Sequence, residues 1–346
     1  MQNRRWIKPV AAVVGLAFFV LALELLKSAA GELAPLLTLL QVNGVRQAVG
    51  FGWLGAYLVL SGSPVAAIAL TLYSSGAMSD LAALGMMTGS RLGASFIVLF
   101  VGFLYYVRGR RRVASVAIGV LAFVVTATIY VPALFLGIWI LHMGWLDAVR
   151  FGTPAALDSF IDLLFTPIVE WIGHLLPFWG VFVVGVGTLL SAFRLFDLVL
   201  PNVDPENSRF GNLANAVYRP FIMFLVGAAF TGVTLSVSVS LTLLVPLATR
   251  GYIRRENVVP YIMDANITTF VDTLLASLLL SSPRAFTIVL VEVISVSFFS
   301  LLILLLFYPT YQRLMNQLLD RILATRLAML IFVMVLVAVP VALLWV

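Results

Sequence analysis

The chain contains no cysteine at all. That absence removes disulfides, thiolate metal sites and cysteine nucleophiles together. Histidine is nearly absent too. His142 and His174 are the two in the chain, and neither sits in an HExxH-like cluster, so no metal site and no metallohydrolase is expected. Charge is scarce. Only 10% of the 346 residues are Asp, Glu, Lys or Arg, where a soluble domain has about 25%. The net charge of +6 is spread over arginines lying between apolar runs. Positive loops on one side of a membrane explain that pattern better than nucleic-acid binding does.

What is present is apolar: 62% of the residues are hydrophobic. Stretches 10–26, 113–141, 178–193, 286–308 and 327–346 are apolar enough for spans of roughly 20 residues. With several less clean segments, about 8–11 membrane-embedded elements are expected. The predicted fold class is an all-α polytopic membrane protein. The first apolar run follows Arg4, Arg5 and Lys8 and continues through Leu25 and Leu26 without a small-residue cleavage site, so it reads as a span and not as a cleaved signal.

Charge also sets a topology. Arg108, Arg110, Arg111 and Arg112 form the densest positive loop, which places that loop and the N-terminus in the cytoplasm. Residues 155–175 carry prolines, Asp158, Asp162, Glu170 and His174. They read as an extracytoplasmic interfacial segment. Arg313, Arg321 and Arg326 flank an amphipathic stretch expected inside. The side of the loop with Arg250, Arg254 and Arg255 stays open.

A repeat runs through the chain. Gly52 precedes Leu60-Ser61-Gly62-Ser63 by eight residues, and Gly227 precedes Leu235-Ser236-Val237-Ser238 by the same eight, an offset of 227 − 52 = 175. The same offset sets Gly89-Ser90-Arg91-Leu92 on Asp264-Ala265-Asn266-Ile267, and Ala17-Phe18 on Ala192-Phe193. The charge topology reverses between the matched points Arg112 and Thr287, which predicts two inverted repeats. Four regions follow: 1–125, a first repeat with its N-terminal span; 126–184, a connecting span and the interfacial segment; 185–310, a second repeat; and 311–346, the amphipathic stretch and a last span. Inverted repeats characterise secondary transporters, with solute bound at the midplane.

Each half has a serine-rich interruption in an apolar run, at Ser61-Gly62-Ser63-Pro64 and at Ser236-Val237-Ser238-Val239-Ser240. Pro64 lacks a backbone donor. Broken helices at membrane depth line protein or water-filled cavities, and their N-termini suit anions. Serine hydroxyls can donate to an anion or accept a cation. Small residues that only let helices pack closely are the plainer explanation of any one such pair; the shared offset favours a site. Arg91, Asp264, Asp272 and Glu292 are charges inside apolar segments and so are functional candidates. A structural ion pair between Arg91 and Asp264 or Asp272 is the competing account. Glu24, Asp80, Arg194 and Asp197 lie nearer span ends, where snorkelling accounts for them.

The segments VGAAFTGVTLSVSVSLTLLVPL and NVVPYIMDANITTFVDTLLASL, with LELLKSAAGELAPLLTLLQVNGVRQAVG in the first half, resemble the type II sodium–phosphate cotransporter family. That family pairs a QSSS broken helix with a downstream GANIGTT-type motif in each of two inverted repeats. The resemblance covers roughly 15–125 and 190–310. It implies broken helices, re-entrant hairpin-like segments and alternating access. It implies substrate contacts at Ser61, Gly62, Ser63, Ser236, Ser238, Asn266 and Thr268; Arg91, a charge inside an apolar segment and standing in the first downstream motif, joins them as a substrate-contact candidate. Ion coupling would fall to Ser240, Thr242, Asp264, Thr269, Asp272 and Glu292. The implied partner is a small anionic solute, phosphate first, with Na⁺ as coupling ion and no other cofactor. Membrane lipid is the other expected partner; a homodimer is allowed, and the plasma (inner) membrane is the expected location. The departures are Leu60 and Leu235 for both glutamines, Gly62 and Val237 for middle serines, Arg91 for Asn and Asp264 for Gly. Leucine offers no polar group. A carrier of another small anion coupled to protons through Asp272 or Glu292, and a non-transporting or regulatory membrane protein that keeps the fold, are the alternatives. No catalytic constellation is present, so an enzyme is not expected.

Overall fold

The computed structural model describes residues 4–39, 42, 44–107, 112–149, 151, 155–199, 220–234, 240–241, 255–280 and 282–345. All regular elements among them are helical. Chains in lipid must satisfy every backbone N–H and C=O internally, and the helix does so within one segment.

The helices are α1 (Arg4–Leu39), α2 (Val45–Val59), α3 (Gly62–Ser74), α4 (Asp80–Val107), α5 (Arg112–Met143), α6 (Ala155–Leu175), α7 (Phe178–Val199) and α8 (Pro220–Thr234). After it come α9 (Arg255–Thr268), α10 (Phe270–Leu279), α11 (Pro283–Leu302), α12 (Tyr308–Ala324) and α13 (Arg326–Trp345). Among the described residues, seven stretches are long and apolar enough to cross a bilayer: Lys8–Ala30, Asp80–Phe100, Val116–Met143, Phe178–Phe196, Asn257–Leu279, Pro283–Ala324 and Arg326–Trp345. Gly62–Ser74 and Pro220–Ala229 are shorter apolar helices. The chain is therefore built as a multi-pass membrane protein.

Its surface agrees. On α13, Leu327, Leu330, Met334 and Val337 are exposed while Leu336 and Pro340 are buried. Water would not tolerate so continuous an apolar face; lipid does. The segment 155–175 is one helix, and its Phe160, Leu163, Leu164 and Trp171 are exposed beside Asp162, Glu170 and His174. It rests on α1 and α7 through Val169, Ile172 and Leu176.

Two kinds of packing organise the bundle. The first is parallel and glycine-mediated. A Cβ added at Gly85, Gly89 or Gly93 of α4 would meet the carbonyl oxygen of Val45, Val49 or Trp53 of α2 at 2.7, 2.0 and 2.4 Å. Both series climb in steps of four, so α2 and α4 run in the same direction with backbones nearly touching, and α3 returns between them. Small residues permit that approach. In the second half, Gly227 of α8 stands 2.8 Å from the Tyr261 oxygen of α9 by the same measure.

The second kind is antiparallel. Gly15 of α1 faces Leu195 and Phe196 of α7, whereas Gly185 of α7 faces Leu25 and Leu26 of α1. Early residues of one helix meet late residues of the other. Phe19 seals the contact edge-on against Phe193 at 5.7 Å. Similarly, Gly137 of α5 lies by Val291 and Ser295 of α11, while Thr128 bonds Tyr311 of α12 at 2.6 Å. So α5 runs antiparallel to the α11–α12 rod.

That rod contains a π-helical turn, Ile303–Phe307, just before Pro309 near the start of α12. Proline cannot donate to the carbonyl four residues back and its ring crowds it, which accounts for the widened turn. Pro340 lacks the same donor within α13, which stays α-helical. It leaves the Leu336 carbonyl without a helical donor, and Tyr57 of α2 supplies one from its hydroxyl at 3.0 Å. Trp53 in turn donates to the Tyr57 oxygen at 2.7 Å. At one end of the bundle Arg284 of α11 bridges Asp147 at 2.6 Å and Asp80 of α4 at 3.2 Å. Asp80 is thus held by a specific partner as well as being near a span end.

Candidate functional site

Arg91 sits 91 − 80 = 11 residues into its span, about 16 Å along it at 1.5 Å per residue. It is only 4% exposed. A guanidinium there stays charged and needs partners. One nitrogen, Nη1, donates to Ser63 Oγ at 3.3 Å and to Thr269 Oγ1 at 3.2 Å. The other, Nη2, donates to Thr273 Oγ1 at 2.5 Å and lies 3.8 Å from Asp272 Oδ1. Thr273 Oγ1 passes its own hydrogen to Asp272 Oδ1 at 2.8 Å. The ring of Phe270 lies 4.8 Å under the guanidinium carbon, a cation–π contact. One turn before Arg91, Thr88 donates to Glu292 Oε1 at 2.9 Å. Tyr130 of α5 is fully buried within the electrostatic reach of Arg91, Asp272 and Glu292.

These side chains come from α3, α4, α5, the α9–α10 junction, α10 and α11. The cluster therefore spans both sequence halves. It holds one cation and two carboxylates. Arg91 Nε, Asp272 Oδ2, Glu292 Oε2 and Ser295 Oγ are buried there without hydrogen-bond partners.

The first interruption is a true break. Helix α2 stops at Val59, and Leu60 takes the left-handed conformation, φ 54° and ψ 31°. Glycine is the usual residue there, so a leucine marks strain. Leu60 is half exposed. Ser61 is extended at the N-cap of α3 without a side-chain capping bond. Gly62, the first residue of α3, is buried against the Ser90 carbonyl. Pro64 falls in the first turn, where its missing N–H costs nothing. The N-terminal end of α3, with its outward N–H groups, thus lies beside Arg91. Both favour negative charge.

The predicted residues divide. Ser63, Arg91, Thr269, Asp272 and Glu292 converge. Asp264 does not pair with Arg91; it accepts from Thr268 at 2.8 Å, one turn along α9. Asn266 donates from Nδ2 to Thr126 of α5 at 3.0 Å, and its backbone oxygen accepts from Tyr130 at 2.8 Å. Ser240 bonds Thr231 at 2.7 Å and Tyr261 at 2.8 Å, which ties it to α8 and α9. Ser236, Ser238 and Thr242 lie outside the described residues. Sequence reasoning missed Thr88, Tyr130, Phe270, Thr273 and Ser295. Thr88 and Thr273 carried a weak signal, standing one turn before Arg91 and directly after Asp272. Among the described residues, no group of three or more His, Cys, Asp or Glu could hold a metal ion.

No family model, curated protein or solved structure matches this chain.

Proposed function

We propose that the chain is a secondary transporter that moves a small anion, inorganic phosphate first, by alternating access across the plasma (inner) membrane. The observation that carries the reading is the buried cluster of Arg91, Asp272 and Glu292 beside the broken end of α3. An anion entering there would exchange with Asp272 as counter-ion of Arg91. The 3.8 Å separation of that pair is loose enough to part. Bringing an anion into a buried site also adds negative charge, which favours entry with a cation. The resemblance implies Na⁺ for that role.

Support for two repeats comes from element boundaries. Helix α8 begins and ends 175 residues after α2, since 220 − 45 = 234 − 59 = 175, and α9 begins 255 − 80 = 175 residues after α4. The Gly52–Met86 and Gly227–Tyr261 contacts are related by the same shift. Helices α1 and α7 overlap under it and pack antiparallel, as do α5 and the α11–α12 rod, and antiparallel equivalents fit an inverted relation. A lone cysteine at position 109 is expected to label from the cytoplasm only, and one at position 282 from the opposite side only. Labelling of both from one side would remove the inverted arrangement.

Uptake decides the function. Proteoliposomes should accumulate labelled phosphate above protein-free vesicles when a cation gradient points inward. Ser63→Ala removes a partner of Arg91 at the mouth of α3 and should weaken phosphate affinity by about 0.5–1.5 kcal/mol. Neither binding nor uptake of phosphate or sulfate would leave a membrane protein that keeps the fold without transport.

A further inference from the structure

The charges of the buried cluster do not balance. Arg91 contributes +1, and Asp272 and Glu292 contribute −2 if both are ionised. The three groups are 4%, 8% and 2% exposed. An uncompensated charge so deep costs several kcal/mol, so one carboxylate must carry a cation or a proton. The two acids are unequally served. Asp272 has the guanidinium on one side, the Thr273 hydroxyl on Oδ1, and the Ser63 hydroxyl and Thr273 backbone N–H as further donors. Glu292 has only a neutral donor, Thr88, on Oε1, and its buried Oε2 has no partner. A carboxylate oxygen in that position lacks a donor, and a proton on it removes the buried charge. Ser295, three residues on along α11 and fully buried, also has a hydroxyl without a partner, so it makes no bond to Oε2 in this structure.

We infer that Glu292 is a proton-loading site, protonated on its unpartnered Oε2, and that this proton is the coupling cation of the transport cycle. Its place in that cycle rests on the transporter reading above. Releasing the proton leaves the cluster at −1 and opposes an anion at Arg91; loading it makes the cluster neutral and admits one. The surroundings are defined on every side packed against α11. Helix α4 presents Arg91, α5 presents Tyr130 and α10 presents Asp272. Asp264 of α9 is bonded to Thr268, and Tyr261 to Ser240. Tyr73 of α3 lies at the end of the bundle with Arg284 and Asp80.

The test is infrared difference spectroscopy of the full protein in lipid vesicles, which needs no substrate. At neutral pH a band of a protonated carboxylic acid, shifted by D₂O, is expected. It should vanish in Glu292→Gln. It should also fade in Asp272→Asn, because Glu292 then becomes the only counter-ion of Arg91 and gives up its proton. An acid outside the electrostatic reach of Arg91 and Asp272 would not respond to a change at Asp272. A band unchanged in Glu292→Gln, or absent from the parent at neutral pH, would overturn the proposal. Loss of the parent's band on adding Na⁺ at constant pH would overturn it as well, because the site would then be a sodium site. A normal band in a protein that takes up neither phosphate nor sulfate would retain the proton site and refute the transport reading instead.

Discussion

Arg91→Ala should lose stability on the order of 3–5 kcal/mol, the usual cost of removing one partner of a buried pair. The loss has a specific origin. It leaves Asp272 a buried charge with only neutral donors, Thr273 and Ser63, and leaves Ser63 and Thr269 without the guanidinium they accept from. Denaturation of the detergent-solubilised protein, followed by tryptophan fluorescence, measures it. Arg91→Ala combined with Asp272→Asn should recover much of the loss, since no charge is then left alone. Lower pH should soften the single variant's defect for the same reason, because a protonated Asp272 needs no counter-ion. An Arg91→Ala protein as stable as its parent, with anion affinity also unchanged, would reduce Arg91 to an arginine that merely reaches for the lipid surface.

Gly89→Ala should be at least as damaging, from one methyl group. Its Cβ would stand 2.0 Å from the Val49 carbonyl oxygen, and a Cβ on Gly52 of the facing helix 2.1 Å from the Met86 oxygen. The obstacles are backbone, so no side chain can swing aside. Helices α2 and α4 would have to separate along their whole contact. Overpacking usually costs about 1–3 kcal/mol; here about 3 kcal/mol or more is expected, and Gly89→Val should not give a folded protein. Gly187 of α7 supplies the control, as nothing lies within 4 Å of its added Cβ. Equal losses for Gly89→Ala and Gly187→Ala would show that helix propensity, and not the close crossing, sets the effect.

Much of this arrangement is legible in the sequence. Long apolar runs become spans because the bilayer permits little else, and Pro64 after Ser61-Gly62-Ser63 marks the break where α2 gives way to α3. A buried arginine must find an acid, so a partner for Arg91 could be anticipated. Its identity could not. Asp264 and Asp272 are eight residues apart, on two helices that meet at Thr269, and only tertiary packing sets which one meets the guanidinium. Tyr130 was illegible, and Thr88 and Thr273 gave only a weak signal, for another reason. Neutral hydroxyls are common in membrane helices and become informative only when a charge stands beside them. The Gly85, Gly89 and Gly93 ladder was present in the sequence as well, but a stripe of small residues does not say which neighbour will use it or in which direction that neighbour runs.

The antiparallel pairing of α1 with α7 has a consequence for biosynthesis. Phe19 leaves the ribosome 193 − 19 = 174 residues ahead of the Phe193 it packs against. At about 5–20 residues per second that is a wait of roughly 9–35 s. During that time the face of α1 bearing Phe19 has only lipid, or an insertion factor, against it. A nascent chain arrested before Phe178 would hold the first helix without its clasp, and quality-control proteases would meet it in that state.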